Sequence, residues 1–330
     1  MADGTHIEWT DATWNPITGC SVVSPGCTNC YAMKLAGTRL AHHWSRKGLT
    51  RDTKAGPVWT GEVRFNEEWL DQPLRWSKPR LIFVCAHGDL FAEGVPDEWI
   101  DQVFGIMAMA TQHTFQVLTK RPERMREYLS SPLRQTRITV AAVILDEDRG
   151  ERTRFLWPLP NVWLGVSVED QPRADERIPI LLNTPAAVRW ISAEPLLGPL
   201  DLDHYLRAGS HRFVGPITRG ALQWVVVGGE SGQDARPMHP DWARSLRDQC
   251  AAAGVAFHFK QWGEWLEHEQ ALDSLGDDDR RVGDSRTRIR RGQDGLTVLD
   301  NATFVRVGKK AAGRLLDGVT HDGWPEVARG

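Results

Sequence analysis

Little in this chain points toward a membrane or toward export. No apolar run approaches the ~20 residues that a spanning helix requires. The opening MADGTHIEWTDATW lacks the basic segment and greasy stretch of a secretory signal, so a cytoplasmic protein is expected. Cysteine is scarce, five in 330 residues, which without export excludes a disulfide framework. A surplus of one charge is lacking too. Forty basic against forty-three acidic side chains give −3, excluding a globally basic nucleic-acid binder while leaving a local basic patch open. Neither a His-Glu-x-x-His helix nor a Gly-x-Ser-x-Gly element is found, which argues against a barrel hydrolase. With 25% charged and 41% apolar residues, disorder, collagen and coiled coil are excluded as well.

Tryptophan, by contrast, is abundant: fifteen residues, suited to cores or to stacking surfaces, with core packing the ordinary use. Short apolar runs recur, each closed by polar groups. Leu81–Cys85 leads into Gly88-Asp89, Phe115–Leu118 into Thr119-Lys120-Arg121, and Val162–Val166 into Ser167-Val168-Glu169. Val188–Ile191 leads into Ser192-Ala193-Glu194, Trp224–Val227 into Gly228-Gly229-Glu230, and Val255–Phe259 into Lys260-Gln261-Trp262. Runs apolar on both faces read as buried parallel strands. Helical stretches separate them, opening at Pro96, at Pro122 and at Pro240, the last with Trp242, Leu246 and Cys250 on one face and Gly254 as its C-cap.

This rhythm predicts an α/β fold, a partial or irregular (β/α) TIM-like barrel of about seven parallel strands, with an early strand near Trp14–Thr18. An open doubly wound sheet fits the same rhythm. The barrel is favoured because nearly every strand ends in polar groups, and barrel sites are assembled from many strand ends. The barrel is expected over residues 1–265. Within it, 138–145 read as a strand of an inserted hairpin arm near 134–158. Residues 266–330 read as an appendage: a charged loop at 273–296, a strand near Thr303–Val307, and a helix over Lys309–Leu316 ended by Gly318.

The sharpest feature is Cys20-Ser-Val-Val-Ser-Pro-Gly-Cys27-Thr-Asn-Cys30, just after the first strand and just before a helix expected to run from Tyr31 to Trp44. Three thiols on one bent loop suit a metal. A structural zinc wants a fourth protein ligand. His42 and His43 would lie about 18 Å down such a helix, too far away, whereas Cys85 could arrive from its own strand end. A 4Fe–4S cluster on three thiolates instead leaves one iron open for a small molecule, and the helix dipole favours its negative charge. The cluster is the preferred reading. A zinc-stabilised nucleic-acid-binding or adaptor protein without catalysis is the alternative.

Ile7–Pro16, the cysteine loop with Tyr31-Ala32, Gly88–Phe91, Leu118–Pro122, Asn161–Glu169, Ser192–Gly198, Val227–Gly232, Lys260–Gly263 and Val307–Gly313 together resemble the phage-type "Gp" family of uncharacterised three-cysteine proteins. That family is similar in turn to radical S-adenosylmethionine (radical SAM) enzymes, which have a partial or complete barrel and a three-cysteine loop after the first strand. In those enzymes the open iron of a 4Fe–4S cluster binds the methionine part of the cofactor. Two departures stand out. The usual spacing is C-x3-C-x2-C where this chain has C-x6-C-x2-C, and Gly228-Gly229-Glu230 follows a late strand rather than the second.

The resemblance implies Cys20, Cys27 and Cys30 as cluster ligands. It also implies S-adenosylmethionine contacts among Asp89, Ser167, Ser192, Glu194, Gly228, Gly229, Glu230 and Lys260. Acids beside exposed backbone suit an amine and ribose hydroxyls. Lys260, Arg121 or Arg236 could pair the carboxylate, and Trp262, Trp265 or Phe91 could cover the adenine. The implied chemistry is reductive cleavage of the cofactor's C–S bond, then hydrogen abstraction from a substrate, with a flavodoxin- or ferredoxin-type electron donor. Substrate class is barely legible. The basic runs Arg121–Arg126 and Arg286–Arg291 make nucleic acid conceivable, and a solvated face explains them equally well.

Overall fold

A computed structural model describes residues 5, 7–207, 222–275 and 296–326. Seven strands pair in chain order, all parallel: β1 (Ala12–Trp14), β2 (Leu81–Val84), β3 (Thr114–Thr119), β4 (Val162–Ser167), β5 (Val188–Ala193), β6 (Trp224–Gly228) and β7 (Ala256–Gln261). The sheet curls into a half-barrel flanked by helices. No helix among the described residues is long and apolar enough to cross a membrane.

Alternation along each strand sorts the side chains by face. Ile82, Val84, Phe115, Val117, Leu164, Val166, Ile191, Val225 and Val227 join the main core, together with α2 (Asp97–Met109), α3 (Pro122–Ser130) and the other outer helices. The complementary positions make a second, smaller core on the concave face from Trp9, Phe83, Trp163, Val188, Trp190, Trp224 and Val226. The strand register arranges this face in layers. Leu118, Gly165, Trp190, Trp224 and Ala256 lie side by side, and Ser167, Ser192, Val226 and His258 form the next layer toward the strand C-termini. Gly165 has no side chain because the Trp190 indole occupies that space; a Cβ there would come within 2.5 Å of the ring. The concave face thus has an indole-filled floor and becomes polar toward its mouth.

The seven expected strands are found. The early one is shorter than expected, because after Pro16 the chain leaves the barrel and Ile17–Thr18 pairs antiparallel with Arg64–Phe65. The expected hairpin arm is helical instead, as α4 (Arg134–Leu145) and α5 (Glu147–Arg152). Its β-branched content suggested a strand, but Ile138, Ala141 and Ala142 recur at helical spacing and are the buried set, while Val140 and Ile144 are exposed. Gly105 of α2 lets the two helices meet closely at Ala142.

The helix after the thiol loop, α1 (Tyr31–Gly37), stops well short of Trp44. Gly37 abuts Pro57 of the hairpin Thr50–Thr53/Gly56–Trp59, and a Cβ at that position would sit 2.1 Å from the proline ring. The chain must turn there. The estimate that set His42 and His43 along a helix therefore does not apply. Beyond β7, Trp265–Glu267, Ala302–Arg306 and Leu296–Leu299 form a three-stranded antiparallel sheet. The last helix is only Lys309–Ala312, ended at Gly313 with φ +66°. Of the charged stretch, 273–275 finish a helix at His268–Leu275, and 276–295 lie outside the described residues.

Candidate metal centre at the barrel mouth

The thiol loop lies across the C-terminal ends of the strands and is anchored by groups from several of them. Beyond β2 and β3, Arg121 sits between Asp89 (3.0 Å) and Glu93 (2.9 Å), with the Cys20 sulfur 3.5 Å from its Nη1. Its Nη2 also donates to the carbonyl and hydroxyl of Ser21. Beyond β4, Glu169 is fully buried; its Oε1 accepts from the Gly26 amide at 3.1 Å, and its Oε2 pairs with Arg177 at 3.1 Å. Beyond β6, Glu230 accepts from Asn29 Nδ2 and is clasped by Arg236, whose Nη2 donates onward to the Pro25 carbonyl. Gly26 allows this close approach: a Cβ there would stand 3.0 Å from the Glu169 carboxylate and push it back by a few tenths of an ångström.

Electrostatics tie the thiols together. Burial, then Asp89, pushes the Cys20 thiol up to about 12 against Arg121, and Cys27 and Cys30 both add to the rise. Burial likewise raises Cys30, with Cys27 adding to it while Lys120 works against it. Such thiols release their protons to a metal rather than to water. Burial opposes ionisation of Glu169, but Lys120, the Ser24 hydroxyl, Arg177 and the Gly26 amide together hold its carboxyl below the usual range.

Cys85 belongs elsewhere. It is buried at φ +56°, and the charges acting on it are Asp89 and Arg46, not the three loop thiols. Cys250 is buried in α6 (Pro240–Ala253). Among the described residues, no group of three or more His, Cys, Asp or Glu side chains converges closely enough to hold one metal ion. A single zinc needs its thiolates within about 2.3 Å of one point. Ligands to three corners of a polynuclear cluster stand farther apart. Cys20, Cys27 and Cys30, with Arg121 acting on Cys20 and Lys120 on Cys30, are the residues that would hold an anionic cluster.

The residues expected to contact a cofactor divide into two groups. Ser167 and Ser192 lie in the polar layer of the concave face, and Glu194 just beyond it takes Lys260 at 3.0 Å and the Ser192 hydroxyl at 3.2 Å. Gly228 leaves room for that carboxylate, since a Cβ would come within 2.5 Å of Glu194 Oε1. These four side chains and Gly228 edge the mouth. Asp89 and Glu230 are instead engaged by protein donors: Asp89 by Thr119, Arg121 and the amides of Phe91 and Lys120, Glu230 by Arg236 and Asn29. Gly229 packs against the Trp262 carbonyl, where a Cβ would fall 1.9 Å away.

Phe91, Trp262 and Trp265 are core residues, the two indoles donating to the Leu315 and Ala235 carbonyls. Tyr31, next to Cys30, is 47% exposed as a residue, yet its hydroxyl donates to the Ala86 carbonyl and its pKa is raised first by burial, then by Cys30 and Glu194. Glu169, Arg177, Asn29 and Tyr31 were not singled out from sequence, although Glu169 closes its strand in the pattern shared with Glu194 and Glu230. A surface groove of about 550 Å³ beside Gln171, Leu200 and Gln249 includes none of this network.

A family model described as "Protein of unknown function (DUF5131)" matches residues 4–325. No curated protein and no solved structure matches the chain.

Proposed function

The chain belongs to the DUF5131 family, and from that premise we propose that it is a non-standard radical SAM-type enzyme. In this reading Cys20, Cys27 and Cys30 hold a 4Fe–4S cluster, and the polar edge of the half-barrel receives S-adenosylmethionine. The observation that carries it is the anchoring of a three-thiol loop over the strand ends by Arg121, Glu169, Glu230 and Arg236. Held by Cys20, Cys27 and Cys30, such a cluster would supply one-electron reduction of the cofactor's sulfonium and so radical chemistry on a substrate, with a flavodoxin- or ferredoxin-type partner as the electron source.

The chain's own residues supply position and charge. Arg121 and Lys120 offset negative charge at Cys20 and Cys30. Glu194 and Lys260 form an acid–base pair able to open onto the amine and carboxylate of an amino acid, one charge for each. Tyr31 offers a ring face beside Cys30. The indole floor keeps water out beneath. Asp89 and Glu230, already engaged, serve by holding Arg121 and the loop.

Oxygen-free purification with iron, sulfide and zinc analysis tests the reading. About four irons and four sulfides per chain are expected. Serine at Cys20, Cys27 or Cys30 should abolish them, while Cys85→Ser and Cys250→Ser should not. One zinc without sulfide, or loss of iron in Cys85→Ser, would overturn it.

A further inference from the structure

The basic run at Arg121–Arg126 offers nucleic acid little, because Arg121 is paired with Asp89 and Glu93 and Arg124 with Asp97. Arg286–Arg291 lies outside the described residues. Positive charge gathers elsewhere. Residues 31–64, the first part of the excursion between the thiol loop and the second barrel strand, carry seven Lys and Arg against only Asp52 and Glu62, in a chain whose net charge is −3. Lys34 pairs with Asp234. The other six cations, Arg39, Arg46, Lys47, Arg51, Lys54 and Arg64, have no carboxylate at ion-pair distance among the described residues.

Arg46 is the informative one. It is 5% exposed, its Nη1 reaches only the carbonyl and hydroxyl of Ser45, and its buried Nε has no partner. A buried guanidinium without an anion is costly to keep. The like charge that acts on it is Arg64, which donates to the carbonyls of Trp44 and Lys47. Trp44, whose carbonyl takes Arg64, is 44% exposed and tilted over Trp69 at 4.9 Å and over His43 at 5.6 Å. The patch borders the mouth, where Arg46 acts on Tyr31, Cys85 and His87. Unpaired arginines track phosphates, and an exposed indole among them offers a stacking face to an unpaired base.

We propose that residues 38–64 bind single-stranded nucleic acid, with phosphates on the exposed Arg39, Lys47 and Arg51, the buried Arg46 adding positive charge beneath them, and a base on Trp44, and lead the strand to the barrel mouth. This deepens the functional reading by naming a substrate class, and it rests on that reading only for what happens at the mouth.

The test is fluorescence anisotropy of the full-length protein with labelled single strands of DNA and of RNA, roughly 12 nucleotides long, and with the matching duplex, over a salt series. A single strand, DNA or RNA, should bind more tightly than the duplex. Replacing Arg39, Lys47 and Arg51 together with Gln should weaken binding at least tenfold and lower the slope of log K against log[salt] by about 2, at ~0.7 per phosphate contact. Trp44→Ala should cost about tenfold with the slope unchanged. Circular dichroism verifies the fold of each variant. Absence of binding at low salt, duplex binding as tight as single-strand binding, or an equal loss in a control carrying Gln at Lys78, Arg126 and Lys310 would overturn the proposal. Iron and sulfide measured on the same samples report separately on the cluster, so either reading can fail without the other.

Discussion

At the scale of single residues, the mouth depends on charges buried in pairs. Asp89 and Arg121 are each 7% exposed, and removing one partner strands the other. Arg121→Met should lower the unfolding free energy by about 3–5 kcal/mol in chemical denaturation, and adding Asp89→Asn should recover part of it. If the second change recovers nothing, the pair is not what the first one broke. His258 makes a pH-dependent contribution of its own. It is 1% exposed with both ring nitrogens unpartnered, and its Nδ1, 3.9 Å from Asp322, is beyond hydrogen-bond reach. Burial, then Arg314, lowers its pKa from 6.5 to about 4 against Asp322 and Glu194. The unfolded chain therefore binds the proton more readily. The neutral ring's contribution, about 3 kcal/mol by the pKa difference, is complete above pH ~6.5 and is lost as pH falls toward 4. Thermal unfolding from pH 7 to 4.5 should decline less steeply in His258→Phe.

Residue-scale legibility was uneven. The three cysteines and the polar strand ends stand out because each is a local pattern within a few positions. The partners that seat the loop do not. Gly26 and Glu169 are 143 residues apart and Asn29 and Glu230 are 201 apart, so neither pairing leaves a mark in neighbouring sequence. Asp89 and Glu230 looked like free acids for the same reason: the arginines that occupy them join them only in the fold.

At the scale of elements, α4 separates two periodicities. A strand would group Ile138 with Val140, Ala142 and Ile144, whereas the helix buries Ile138, Ala141 and Ala142 and exposes Ile144. Ile138→Ala should cost about 2–4 kcal/mol, and Ile144→Asp, on the exposed face, should change stability by less than about 0.5 kcal/mol. Equal losses would point to a strand. The barrel strands were legible because apolar runs buried on both faces closely match parallel sheet. The arm misled because β-branched content and helical spacing point in opposite directions there. In β4, Gly165→Ala forces a methyl toward the Trp190 ring and should cost about 1–3 kcal/mol, visible as a lower melting temperature.

At the scale of the whole molecule, the sheet does not close, and its last strand would present a bare edge. The segment His321–Gly323 covers it as an antiparallel backbone bridge in which Asp322 lies opposite His258: the Phe259 amide donates to the His321 carbonyl and the Gly323 amide to the Phe257 carbonyl. Trp324 then stacks on Trp224 at 4.9 Å. A chain ending at residue 319 should melt at lower temperature and associate in light scattering, because an unprotected edge pairs with its neighbours. Unchanged melting and monodispersity would show that the strap is dispensable.

The indoles of Trp9, Trp190 and Trp224 are in ring contact with one another, and Trp324 of the C-terminal strap stacks on Trp224. The floor of the concave face and the cover of the open edge thus share one aromatic contact, and a change that lifts the strap also loosens the floor beneath the mouth.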